Sequence, residues 1–328
     1  MKFQYTPLVI ALSLAFLTST SFAGDSIEIS QPGSNNTANA AQAGNFSTSI
    51  NDITIIQTGD FGVIDANQAS NYTSSAIITD QQYSNYDISS INQIGNTDAY
   101  AIILNYAEGN GNNASITQKE VDYAYALIYQ TGSNNFGIIN QYSGSNLSAT
   151  INLQKYGGPS GNNNYANLTQ SGVDQNFSVE QGPGSYNNVY STQMGSNTTT
   201  TLFQSGSYNN TTIFQNGTGI MDVLHLSQSG DSNSITATQM GEDHFANVLQ
   251  TGNSNSLGTI QSGTYNTVDI VQSGSSNAGV LSQDGNGNNI TLSQSGSFNA
   301  ATISQSGKNF MSINTQSGSS NKITVSQN

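Results

Sequence analysis

From residue 228 onward a glutamine stands at every eleventh position: Gln228, Gln239, Gln250, Gln261, Gln272, Gln283, Gln294, Gln305, Gln316 and Gln327. Ten recurrences without a miss are beyond chance even in a glutamine-rich chain, and self-similarity at a fixed period marks a repeat architecture. Other residues keep step. A glycine lies two places after most of these glutamines, at Gly230, Gly241, Gly252, Gly263, Gly274, Gly285, Gly296, Gly307 and Gly318. An asparagine lies five places after many, at Asn233, Asn255, Asn266, Asn277, Asn288, Asn299 and Asn321.

Between asparagine and the next glutamine the side chains alternate. After Asn266, Val268, Ile270 and Gln272 share one face of an extended chain, and Thr267, Asp269 and Val271 share the other. A helix of 3.6 residues per turn would scatter the apolar members around its circumference, so the period-two strand is the consistent reading. Each strand is followed by Ser-Gly-Ser-x or a relative, such as Ser262-Gly263-Thr264-Tyr265, where glycine is free to take positive φ in a tight reversal. Seven strand positions and about four turn positions fill the step, and two steps return the chain to its starting side.

The fold expected is therefore all-β: a β-solenoid with two strands per 22-residue rung, its facing strands about 10 Å apart and its rungs about 4.8 Å apart. Ile, Val, Leu and Ala fill a thin interior. Glutamine and asparagine at the strand ends stack as amide ladders, because a buried amide without a partner costs about 1–3 kcal/mol. The asparagine either bridges its own turn backbone or bonds to the next layer. Earlier in the chain the pairs Gln31 and Gln42, Gln57 and Gln68, Gln82 and Gln93, Gln130 and Gln141, Gln170 and Gln181, and the series Gln193, Gln204, Gln215 keep the same step. The longer gaps between them read as corner insertions, at 45–50, 108–111, 156–163 and 218–221, because an extra residue within a strand would exchange its faces. With Leu104 taken as a slot where glutamine is replaced, the chain holds about 26 strand units, hence about 13 rungs of a flattened rod roughly 60 Å long.

Three stretches follow: 1–23, 24–227 with irregular repeats, and 228–328 with regular repeats continuous with them. The first reads as a signal peptide, with Lys2, an apolar run from Leu8 to Leu17, and Ser21-Phe22-Ala23 before Gly24. The run is too short to cross about 30 Å of hydrocarbon as a helix.

Composition excludes several functions. Five lysines, no arginine and 19 acids give a net charge of -14, which excludes a site tracking a nucleic-acid backbone. Absence of cysteine excludes disulfides and thiolate metal centres. The two histidines offer no convergent ligand set: His225 falls on the outward phase, and His244 takes a slot usually held by asparagine. Serines lack a partnering histidine, and acids such as Glu242 and Asp243 read as solvated turn residues. No cofactor, metal or catalytic residue is expected. Tyr186, Tyr208, Tyr265 and Phe298 are expected along an outer edge.

No cap is legible at either end of the patterned stretch, since Asp25, Ile27, Ile29 and Gln31 already follow the inward phase and Asn321 to Asn328 is a patterned strand. Uncapped strand edges template further strands, so end-to-end polymerisation is expected. A monomeric solenoid binding polysaccharide, a surface or ice is the rival expectation.

Gln31-Pro32-Gly33-Ser34-Asn35-Asn36-Thr37-Ala38 with Gln42, and Gln294-Ser295-Gly296-Ser297-Phe298-Asn299-Ala300-Ala301 with Gln305, resemble the curlin repeat of bacterial curli fibres. The resemblance implies an extracellular functional amyloid supporting biofilm matrix, adhesion and cell aggregation. It also implies a nucleator subunit and outer-membrane secretion machinery as partners beside the chain itself, with a fibre nucleator as the alternative role for this chain. By that similarity the inward glutamines and asparagines, such as Gln272, Asn277, Gln283 and Asn288, drive polymerisation.

Overall fold

The computed structural model describes residues 25–328 except 33, 44–49, 81–84, 106–108, 154–160 and 219–220. Residues 1–23 and most of the expected corner insertions lie outside the described residues. The described chain contains 24 strands and no helix. In order they are β1 (Ser26–Ser30), β2 (Thr37–Ala43), β3 (Asp52–Gln57), β4 (Val63–Ala69), β5 (Ser75–Asp80), β6 (Ile88–Ile94), β7 (Tyr100–Asn105) and β8 (Asn113–Asp122). There follow β9 (Tyr125–Gln130), β10 (Phe136–Leu153), β11 (Tyr165–Gln181), β12 (Asn188–Ser196), β13 (Thr198–Ser205), β14 (Asn210–Gly217), β15 (Asp222–Ser229) and β16 (Ser234–Glu242). The last eight are β17 (Phe245–Asn253), β18 (Ser256–Thr264), β19 (Thr267–Ser275), β20 (Ala278–Asn286), β21 (Asn289–Ser297), β22 (Ala300–Lys308), β23 (Met311–Ser319) and β24 (Lys322–Gln327).

Every pairing is parallel, and outside β10 and β11 each joins a strand to the one that follows two places later, as β1 to β3, β2 to β4 and β22 to β24. Two columns result, running side by side. β10 and β11 pass through a corner as extended chain, and each gives one segment to either column: 136–142 pairs with β8, while 148–153 pairs with β9. With those two counted twice, each column holds thirteen segments, so the described residues form a two-strand β-solenoid of thirteen rungs. The rung repeats at 22 residues from Gln228 to Gln250 and onward. Earlier it lengthens, to 29 between Gln141 and Gln170, yet the ladder register survives because the extra residues fall between strands. Inserted at a corner, a residue lengthens the path without turning a strand over.

The interior follows from the alternation. In β19 Val268, Ile270 and Gln272 are buried, and their register partners in β21 are Ile290, Leu292 and Gln294, also buried. One hydrophobic core, from Ala38 to Ile303 and flanked by Ile29 and Val325, runs between the columns. Fully burying such side chains stabilises by about 1.5–3 kcal/mol each.

Two sequence expectations are corrected by the register. Leu104 is not a ladder slot: it points outward beside Tyr129, and Asn105 lies in register with Gln130. The position aligned with Gln57 is Asp80, two residues before Gln82, and Gln82 itself lies outside the described residues.

Candidate functional site

The feature that distinguishes this column from an ordinary apolar core is its row of buried amides. In the column that contains β2 and β24, one glutamine from every rung stands over the next: Gln42, Gln68, Gln93, Gln118, Gln141, Gln170, Gln193, Gln215, Gln239, Gln261, Gln283, Gln305 and Gln327. Each Nε2 donates to the Oε1 of the glutamine one rung on, over 2.9 Å from Gln42 to Gln68 and 2.7 Å from Gln305 to Gln327, with no break between. In all of them but Gln215, whose oxygen instead accepts from Thr200 Oγ1 of the facing column, the second Nε2 hydrogen crosses to that column. Gln239, for example, donates to the Val223 carbonyl at 3.2 Å, and Gln283 to the Thr267 carbonyl at 3.0 Å. Each amide therefore binds rung to rung and sheet to sheet.

The other column carries a shorter ladder. Gln181, Gln204, Gln228, Gln250, Gln272 and Gln294 donate in succession, the last to Gln316, and Gln31 donates to Gln57. Between Gln57 and Gln181 the aligned residues are Asp80, Asn105, Gln130 and Leu153. Asn105 is too short to reach its neighbour and donates instead to Ser89 Oγ at 2.9 Å. Leu153 has no amide to offer. The consequence is visible on the flanking residues, since Gln130 Oε1 and Gln181 Oε1 are buried without a hydrogen-bond partner.

Asparagine ladders stand at the corners. The ten residues Asn112, Asn135, Asn164, Asn187, Asn209, Asn233, Asn255, Asn277, Asn299 and Asn321 stack in one line, each Oδ1 accepting the backbone N–H of the next. The amide nitrogen serves two carbonyls at once. Asn277 Nδ2 donates to Ser273 O in its own turn at 3.0 Å and to Gly296 O of the next rung at 3.1 Å. The two roles that the sequence leaves as alternatives are thus filled together. On the opposite corner Asn266 and Asn288 do the same, with Asn288 N donating to Asn266 Oδ1. Asn36 belongs to the first line of corners, its Oδ1 accepting the N–H of Gly62. Lower on the opposite corner a further pair of buried asparagines, Asn71 and Asn96, stacks, with Asn71 Oδ1 accepting the N–H of Asn96 and Asn96 Oδ1 that of Val121. The slots before β7, β9 and the second segment of β10 hold Ala99, Ala124 and Leu147, which cluster with Val121. Neither departure carries a signal in the repeat pattern.

The corner glycines explain why the ladders close so tightly. Gly230, Gly241, Gly252, Gly274, Gly285, Gly296, Gly307 and Gly318 share with Gly263 a left-handed backbone. At Gly263 φ is +102°, and a Cβ would lie 2.1 Å from the carbonyl oxygen of Gly285 in the next rung. Both the dihedral and the stacking distance exclude any larger residue there.

Aromatic rings on the outer corners form short stacks and no continuous edge. Tyr186 and Tyr208 lie 5.0 Å apart and nearly parallel, as do Phe61 and Tyr86 at 5.1 Å. Phe298 and Tyr265 are exposed on opposite corners, so the four aromatics expected along one edge do not share it. His225 is exposed and meets Phe245 edge-on. His244 is buried in an asparagine slot, with Nε2 placed 3.0 Å from Met240 O, four residues back, where an asparagine nitrogen would bond. Among the described residues no three His, Asp or Glu side chains are grouped to hold a metal ion.

Fold and ladders together define a class, the parallel two-strand β-solenoid with amide-laddered corners. Residues 230–263 and 263–296 each match the curlin associated repeat, so this part of the column carries curlin repeats. No curated protein matches the chain.

Proposed function

We propose that this protein is the structural subunit of an extracellular, curli-like amyloid fibre, in which copies stack end to end and extend both columns. The observation that carries the reading is the glutamine ladder from Gln42 to Gln327, a lattice in which each rung is a template for one like itself. Among the described residues the pairing is one-sided at the two extremes of the column: β1 pairs with β3 alone, and β24 with β22 alone. On β24 Ile323 and Val325 are half-buried, whereas their partners Ala301 and Ile303 on β22 are buried. Covering that apolar strip and its unpaired backbone with another rung favours addition of a second copy. The repeat family is associated with extracellular curli fibres, which supports export past the outer membrane and a role in biofilm matrix, adhesion and cell aggregation. On this reading its partners are further copies of the chain, a nucleator subunit and the secretion machinery. The protein acts through surface and assembly, without a catalytic step.

The test follows thioflavin fluorescence of the chain from Gly24 onward, with and without preformed seeds. Sigmoidal growth whose lag vanishes on seeding is expected, and a solution that stays monomeric in the presence of seeds sinks the proposal. Replacing Gln272 and Gln294 together by Ala removes two successive members of one ladder and slows elongation. Unchanged kinetics would mean that this ladder does not govern growth.

A further inference from the structure

The interior amides do not titrate, which makes the carboxyls in their slots informative: Asp87, whose Oδ1 accepts the N–H of Asn112, and Asp222, which stands where the irregular repeats meet the regular ones. Asp222, at the start of β15, occupies an asparagine corner slot and is 1 % exposed. Its Oδ1 does what an asparagine oxygen does, accepting the backbone N–H of His244 in the next rung at 2.8 Å. Its Oδ2 lies where an asparagine nitrogen lies. A Cβ built on the corner glycine Gly217 would sit 2.3 Å from Asp222 Oδ2, as one on Gly161 would sit 2.6 Å from Asn164 Nδ2. The place over the glycine therefore belongs to a hydrogen-bond donor, and here it holds an oxygen that has no partner.

We propose that Asp222 is a proton-operated joint between the irregular and the regular halves of the column, complete when its carboxyl is neutral and weakened when it ionises. A neutral carboxyl has one acceptor and one donor, the hydrogen-bonding pattern of the asparagines in the equivalent slots. An ionised one has only acceptors, and leaves a charge in a site from which water is excluded. Burial pushes the Asp222 carboxyl above its ordinary value, partly opposed by the His244 backbone N–H and by the charge of the His244 ring, and reinforced by Asp243 and Glu242. Those three side chains, all at the next-rung corner, are the titratable groups that bear on it; β13 below and β14 before it carry none.

The sign follows from linkage. A group held protonated more tightly in the folded state contributes stability that is full below its unfolded value and lost as pH rises through its folded value. The experiment compares heat unfolding of the dilute, unassembled chain with that of Asp222→Asn, from about pH 4 to about pH 7. The two proteins are expected to unfold together at the acid end, with Asp222→Asn melting progressively higher as pH rises. The exposed acid Asp284 is the control, and Asp284→Asn keeps the wild-type profile. A difference between Asp222→Asn and wild type that does not change with pH, or an equal effect of Asp284→Asn, overturns the proposal. The readout is intramolecular, so it stands or falls independently of fibre growth.

Discussion

At the scale of single residues, stability depends on whether a buried amide has both neighbours. Gln141 donates to Gln170 and accepts from Gln118, so Gln141→Ala strands a donor on one side and an acceptor on the other. A loss of about 2–4 kcal/mol is expected. Gln130, in the interrupted ladder, has an oxygen already unpartnered, and Gln130→Ala should cost about 1 kcal/mol less. Urea unfolding of the two variants measures the difference, and equal losses would contradict the ladder account. The converse repair is Leu153→Gln, which places an amide between Gln130 and Gln181. It is expected to stabilise by about 1 kcal/mol, and a destabilised variant would show that the packing of Leu153 outweighs the missing bonds. These slots also mark where the sequence is hard to read. An apolar residue at a ladder position looks like any core residue, and Asn105 beside Leu104 differs from the expected slot by one place, which only the register reveals.

At the scale of the element, the strand phase was legible because burial alternates with a period of two and the turn glycine fixes where each strand stops. What the period conceals is the column. Tyr186 and Tyr208 are two eleven-residue steps apart and stack, whereas Tyr265 and Phe298 are three steps apart and lie on opposite corners. An insertion shifts this count by an amount that spacing alone does not assign to one corner or the other. The corner itself tolerates little. Gly263→Ala must both hold φ near +102° and move the Gly285 carbonyl, so the local rung opens. Faster amide exchange confined to β18 and β20 is the expected signature, and protection unchanged from wild type would show that the corner relaxes cheaply.

At the scale of the molecule, ionic contacts contribute little. Among the described residues one ion pair is seen, Lys119 with Glu120 at 3.7 Å, and both side chains are mostly exposed. Such pairs are worth about 0–1 kcal/mol. The net charge of -14 acts instead between molecules, by mutual repulsion. Raising ionic strength should therefore speed association of copies by screening that repulsion, and salt-independent growth rates would remove charge from the account. Modularity gives a second test. Deleting residues 250–271 joins Leu249 to Gln272 and removes one rung of 22 residues. A protein of unchanged fold with a shorter column is expected from small-angle scattering, and collapse to an unfolded chain would show that these rungs are not interchangeable.

The glutamine bonds all point one way, from the earlier rung to the later. Slice the stack at any level and one face carries glutamine N–H groups seeking oxygen, while its mate carries the oxygens. Like faces laid together would set hydrogen against hydrogen, so an array of these columns has a compass built into its middle, and material added at its two tips meets chemically different doors.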